Sequence, residues 1–191
     1  MAGRQAKILT NSQLQLALRE ASRSRYPLRD RAIILVSSKA GLRAGEIANL
    51  TWPMVMTANR QIGDHIALAD CAAKKRSGRT IPMHPEIRSA LIALRRRSRD
   101  SLHVIRSERG DKLRPTSVVN WFAALYARLG FEGCSSHSGR RTFVTRAARL
   151  IFRAGGSLRD VQQLAGHKSL NHLQLYIEGD TAAKRRVVAL L

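Results

Sequence analysis

Tyr176 follows the Gly166–His167 pair by nine positions in "LAGHKSLNHLQLYIEGD", residues 164–180. A phenol hydroxyl is a useful nucleophile only where other groups bind and polarise what it attacks. Candidates for that work stand in three earlier stretches. In "AGLRAGEIANL", Arg43 comes just after a helix-ending glycine, and Glu46 lies three residues on, close enough to hold the guanidinium in one rotamer. In "AAKKRSGRTIPM", Lys74 and Lys75 stand at the mouth of a hairpin turn, placed to reach over a groove or to protonate a leaving group. In "SSHSGRRTFVTRAARL", His137 and Arg140 share one face near a helix start, where unpaired N–H groups and the helix dipole favour a phosphate. Each stretch taken alone also has a plain structural reading. These are a surface ion pair, a solvated basic turn, a satisfied histidine beside a surface arginine, and a tyrosine in a core.

The elements that must position these residues follow from periodicity. "TNSQLQLALREASRS" predicts a helix with Thr10 or Asn11 as N-cap and Leu14, Ala17, Leu18 and Ala21 on one face. "LRDRAIILVSSKAG" predicts a second helix, apolar in its centre and ended by Gly41 at C′. "AGEIANL" is a short third helix, stopped by "WPM". "RQIGDHIALADC" alternates as a strand with Ile62, Ile66 and Leu68 on one face, "KKRSG" is a turn, and "RTIPM" returns. Residues 54–83 thus form a small antiparallel sheet. Helices are expected again over "HPEIRSALIALRRR", with Pro85 in the first turn, and over "PTSVVNWFAALYARLG", "SGRRTFVTRAARLIFRAG", "SLRDVQQLAG", "SLNHLQLYIE" and "TAAKRRVVALL". The fold class is α+β: mostly α, with a small antiparallel β-sheet inserted near the N-terminal third.

Composition narrows the partner. The 191 residues carry 34 Lys and Arg against 13 Asp and Glu, a formal charge of +21. That much like charge destabilises a compact state unless a polyanion neutralises it. No helix pairs a cationic face with a Trp- and Phe-rich face, as a membrane binder would. Aromatics are only 5% of the chain, which argues against stacking on single-stranded bases. Double-stranded DNA gripped through its phosphates is the expected partner. The longest apolar run, "AIILV" at 32–36, is far short of the roughly 20 residues needed to span a bilayer. "MAGRQAKILTNSQ" has no apolar signal-peptide core, and Cys71 and Cys134 fit no zinc spacing, so a reducing cytoplasm is expected. No metal site and no cofactor are expected.

The order and wording of these stretches resemble the tyrosine recombinase (phage integrase) family. The carrying motifs are "GLRAGEI", a lysine eight residues before the proline of "RTIP", "HSGRRTF", and "LAGH" with a tyrosine nine residues on. The resemblance covers residues 10 to 185, essentially the family's whole catalytic domain. It implies a site-specific DNA recombinase that cleaves and rejoins duplex DNA without metal or ATP. Tyr176 is then the nucleophile, giving a 3′-phosphotyrosine and a 5′-hydroxyl. Arg43 and Arg140 clamp the non-bridging oxygens, His137 serves as acid/base and donor, and His167 is a further phosphate donor. Lys74 protonates the departing 5′-oxygen, with Lys75 as the alternative, and Glu46 keeps the surroundings of Arg43 in order.

Some features depart from the family pattern. His172, Leu173 and Leu175 occupy positions that often hold two Thr and a basic residue, which removes a basic neighbour of Tyr176. His172 either faces the site or is a surface or capping residue, while His65, His84 and His103 match nothing. Only about ten residues precede the first helix, so no separate N-terminal core-binding domain is expected in this sequence: it is either a catalytic domain cut from a longer protein or a short family member that lacks that lobe. The whole chain reads as one catalytic domain, with a core over about 10–179 and a C-terminal tail at 180–191. By the resemblance the tail docks on a neighbouring protomer in a tetramer on two duplexes, with packing on its own domain as the alternative. The expected location is the cytoplasm, bacterial or phage-associated, on the nucleoid. Two other functions fit the same residues: a DNA-binding regulator that kept the fold and lost turnover, and a type IB-like topoisomerase.

Overall fold

The computed structural model describes residues 5–70, 72, 78–97, 101–108, 110–167, 169, 173, 188 and 189. Among them the chain forms α1 (Asn11–Ser22), α2 (Pro27–Lys39), α3 (Ala44–Ala48), β1 (His65–Leu68), β2 (Arg79–Pro82), α4 (Pro85–Arg95), α5 (Pro115–Arg128), α6 (Ser138–Leu150) and α7 (Leu158–Ala165). It divides into two compact units, Met1–Phe143 and Val144–Leu191, with the boundary inside α6.

The first unit is built around α2. Residues 32–38 of this helix are buried without a break, which is why its sequence shows no polar face. α1 and α4 pack against it, and α3 packs on α5. α1 starts with a capping box: the Thr10 hydroxyl accepts from Gln13 N, and the Gln13 side chain accepts from Thr10 N. Its predicted apolar face, Leu14, Ala17, Leu18 and Ala21, is the buried one. α2 ends as expected, with Gly41 in the left-handed region at φ 68°. Pro85 opens α4, and His84 caps it by accepting from Glu86 N through Nδ1 at 3.2 Å.

β1 and β2 pair antiparallel, with Ile66 opposite Ile81 and Leu68 opposite Arg79. The strand predicted from Arg60 to Cys71 is shorter in the structure. Gly63 N donates to the Val55 carbonyl, and Ile62 joins Met56 in an isolated bridge, so the chain turns before β1 begins. Ile62, Ile66 and Leu68 are nevertheless all buried. The base of the following turn is closed by Gly78 N, which donates to Asp70 Oδ1 at 2.7 Å.

The N-terminal segment is tied to the start of α6. Lys7 N donates to the Gly133 carbonyl, Arg141 Nη1 donates to the Ala6 carbonyl, and Leu9 N donates to Thr142 Oγ1 at 2.8 Å. These bonds satisfy backbone groups that an extended segment would otherwise leave unpaired.

In the second unit the predicted helix 138–155 stops being α-helical at Leu150. It tightens into a 3-10 turn at Ile151–Ala154 and ends at Gly155, φ 75°. Gly155 N and Gly156 N donate back to Phe152 and Ile151, pairing carbonyls that a helix end leaves open. α7 starts with a capping box of Ser157 and Asp160 and ends at Gly166, φ 60°. Most of the helices predicted at 169–178 and 181–191 lies outside the described residues. Of the first, Leu173 is described, and it is helical and buried.

Candidate active site

Arg43 stands at the junction between the αL glycine that ends α2 and the first turn of α3. Glu46, one turn into α3, accepts from Arg43 N at 2.9 Å and from Arg43 Nη1 at 2.8 Å. The i,i+3 spacing predicted this pair, and the carboxylate is buried, at 1% exposure. A carboxylate so far from water needs more than one cation to stay ionised. The second is Arg79, the first residue of β2. Its Nη1 and Nη2 donate to the two oxygens of Glu46, each at 3.0 Å, as a fork on a carboxylate. Burial by itself raises the Glu46 pKa, and the Arg79 and Arg43 guanidiniums outweigh it, so the group is held below the ordinary glutamate range.

Arg79 is a member of this buried cluster that the sequence reading missed. A signal was present, because in β2 it shares parity with the buried Ile81 and therefore points inward. A charge on an inward face calls for a buried partner of opposite sign.

His137 and Arg140 sit where the pattern put them, one just before α6 and the other in its first turn. The entry to α6 is knotted by serines: Ser135 N donates to Ser138 Oγ, Ser138 N to the Ser135 carbonyl, and His137 N to Ser135 Oγ. His137 is left exposed, whereas Arg140 is 3% exposed. Arg140 Nη1 donates to the Gly41 carbonyl at 2.6 Å. The turn at 41–46 therefore anchors both arginines, Arg140 through a carbonyl and Arg43 through Glu46.

Two glycines make this closeness achievable. A Cβ at Gly139 would stand 2.3 Å from Ser37 Oγ, so α6 meets α2 only where 139 has no side chain. A Cβ at Gly41 would stand 2.4 Å from the Phe143 ring. "AGLR" and "HSGRRTF" thus fit each other through their glycines as well as their arginines.

His167 belongs to the second unit. It follows the αL Gly166, its N donates to the Gln162 carbonyl, and its own carbonyl accepts from Gln162 Nε2 at 3.0 Å. Lys74, Lys75, His172, Leu175 and Tyr176 lie outside the described residues. The histidines that matched no motif have local partners. His65 Nδ1 lies 2.7 Å from Asp64 Oδ1 and His103 Nδ1 lies 2.7 Å from Asp111 Oδ2, while His84 caps α4. Among the described residues, no three His, Cys, Asp or Glu side chains are grouped to hold a metal ion. No helix among them is long and apolar enough to cross a membrane.

Residues 7–182 match the model of the phage integrase family. The chain belongs to that family. Tyrosine recombinase XerC of Xanthomonas axonopodis pv. citri (strain 306) is 30% identical over 159 residues, covering 80% of this chain and 48% of that protein. Tyrosine recombinase XerA of Pyrococcus furiosus is 30% identical over 153 residues, covering 78% and 50%. The chain therefore spans about half the length of the curated relatives it matches. The fold is shared with solved integrase structures. The Tn1549 transposon integrase in complex with a circular intermediate DNA superposes with a TM-score of 0.77 at 19% identity, covering 100% of this chain and 67% of that one. The XerA recombinase crystal structure gives 0.73 at 24%, covering 100% and 65%.

Proposed function

We propose that this integrase-family chain is the catalytic part of a site-specific DNA recombinase that cleaves and rejoins duplex DNA through Tyr176. The observation that carries the reading is the common anchoring of Arg43 and Arg140 on residues 41–46. Two guanidiniums held by fixed partners suit a phosphate whose negative charge grows as a fifth oxygen bonds to phosphorus. Their order costs nothing at the moment of reaction, because Glu46 and the Gly41 carbonyl have already imposed it.

In this mechanism the Tyr176 hydroxyl oxygen attacks the scissile phosphorus, and the bond to the 5′-oxygen breaks. The products are a 3′-phosphotyrosine, whose phenol proton passes to His137 as base, and a 5′-hydroxyl that takes its proton from Lys74. Attack by a 5′-hydroxyl on the phosphotyrosine reverses the step and reseals a strand. The covalent link conserves the energy of the phosphodiester, so the cycle needs neither ATP nor a metal. His137, exposed beside Arg140, serves as acid/base and donor, and His167 as a further phosphate donor. Double-stranded DNA is the partner, and the charge of +21 supports binding through its phosphates. The working assembly is a tetramer on two duplexes, in which residues 180–191 dock on a neighbouring protomer. Its setting is the bacterial or phage-associated nucleoid.

The test is incubation of the chain with nicked suicide duplexes covering sequences that flank its gene, without metal or ATP. The reading expects a denaturant-resistant protein–DNA adduct and, with two sites present, exchanged strands. Relaxation of a supercoiled plasmid carrying the same sequences, without exchange, would move the chain to the topoisomerase reaction. Binding of duplex without any adduct would make it a regulator.

A further inference from the structure

We propose that Arg79 is a positioning residue for strand cleavage, acting through Glu46 to hold Arg43 against the phosphate. The inference rests on the recombinase reading and names a part of that site which no motif assigned. Three observations carry it. Arg79 spends a bidentate fork on Glu46, with both N–O distances at 3.0 Å. Its side chain is 6% exposed and that of Glu46 is 1% exposed, while the Arg43 side chain is 23% exposed. Glu46 thus holds one buried guanidinium and presents another that still reaches solvent, where a phosphate would come. Finally, Arg79 follows directly on Gly78, whose N–H donates to Asp70 Oδ1 at 2.7 Å just past β1.

The physical logic is one of ionisation. Among the described residues Glu46 pairs with two charged groups, Arg43 from the start of its own helix and Arg79 from β2. α2 and α5, which pack on α3, supply no ion pair to it among the described residues. Asp30 and Lys39 of α2 pair with Arg29 and Glu86, Arg128 of α5 pairs with Glu20, and the buried Tyr126 has its pKa pushed up. Burial works against the carboxylate, and Arg79 is the stronger of the two guanidiniums opposing it. Without Arg79, Glu46 takes up a proton at higher pH. A neutral Glu46 no longer holds Arg43 by a charged bond, and the arginine is released to other rotamers.

A mere brace for β2 would slow the reaction equally at every pH, whereas a positioning role acting through Glu46 moves the acid limb. The experiment is single-turnover cleavage of the nicked duplex across the pH range by the full chain. It compares wild type, Arg79→Lys, Arg79→Met and the double variant Arg79→Met with Glu46→Gln, with duplex Kd measured alongside. Arg79→Met should cleave roughly tenfold to a hundredfold more slowly at neutral pH, the scale of a misplaced catalytic group. Its acid limb should move to higher pH, with duplex Kd changed by about twofold or less, as for one contact outside the phosphate path. Arg79→Lys should restore most of the rate, because an ammonium still keeps Glu46 ionised. The double variant should lack the displaced limb, since an amide does not titrate.

A Met variant with the wild-type profile, or one slowed equally at all pH without rescue by Lys, overturns the inference. If Arg79→Met does not fold, Arg79→Lys decides alone: its acid limb should move slightly upward, and an unmoved limb overturns the inference. Absence of an adduct in the wild type would overturn the recombinase reading, and this inference with it. A wild-type adduct together with any of the other adverse results overturns the inference alone.

Discussion

Gly41 and Phe143 meet at a distance that excludes a side chain at 41: a Cβ there would stand 2.4 Å from the ring Cδ1. The same glycine has φ 68° and offers its carbonyl to Arg140 Nη1. One residue thus ends α2, seats Phe143 and fixes an arginine of the proposed site.

Gly41→Ala should therefore damage both stability and chemistry. The left-handed backbone alone costs an alanine about 1–2 kcal/mol, and displacement of the ring adds to it. The urea midpoint should fall, and the rate of adduct formation should fall further than the lost folded fraction explains. A stable Gly41→Ala variant with wild-type cleavage would show that the contact positions nothing.

Gly139 and Ser37 form the second close approach. Gly139→Ala should cost about 1–3 kcal/mol, as overpacking in a filled core does. Ser37 Oγ is buried without a hydrogen-bond partner among the described residues, so Ser37→Ala should be neutral or stabilising by up to about 1 kcal/mol. The two effects couple, because Ser37→Gly opens the space that the new Cβ at 139 needs. A double-mutant cycle by chemical denaturation checks this, and strictly additive losses would contradict the packing described.

Glu46 makes stability depend on pH in a defined direction. Its folded pKa is depressed, so its contribution is fully present above the ordinary glutamate value and is lost as pH falls through the folded value. Glu46→Gln removes a buried partner of two guanidiniums and should cost about 3 kcal/mol at neutral pH. The gap between the two proteins should narrow as pH falls below roughly 4, where the carboxyl of the unfolded chain begins to protonate. Denaturation midpoints measured at neutral and acid pH test this. A gap that stays constant would mean that folding does not lower the Glu46 pKa.

Much of this was legible because local rules and packing agree. Thr10, Pro85 and Gly41 mark element ends by their own backbone chemistry, and Leu14, Ala17, Leu18 and Ala21 face the core as their spacing requires. Arg43 and Glu46 were readable together because one helical turn joins them. For Arg79, strand parity marked an inward-facing charge, but its partner lies 33 residues away and no local pattern names a contact of that span. The change from α to 3-10 form after Leu150 was hidden for a similar reason. The apolar wording "LIF" suggests a buried continuation, yet Leu150 is 55% and Phe152 64% exposed.

Arg140→Lys isolates the arginine that rests on Gly41. A lysine keeps the charge but cannot both donate to the Gly41 carbonyl and present a planar fork to a phosphate. Cleavage should fall by about a hundredfold or more, the scale for losing one preorganised donor, with folding intact. Duplex affinity should change little, since the charge remains. A Lys variant that cleaves like the wild type would remove Arg140 from the proposed clamp.

The most direct measurement is the chemical identity of the adduct. Wild type and Tyr176→Phe are incubated with the nicked duplex, denatured and digested, and the nucleotide-bearing peptide is sequenced by mass spectrometry. The account predicts a phosphodiester on Tyr176 in the wild type and no adduct in the Phe variant. An adduct that persists in Tyr176→Phe, or one mapped to Tyr26 or Tyr126, would contradict it.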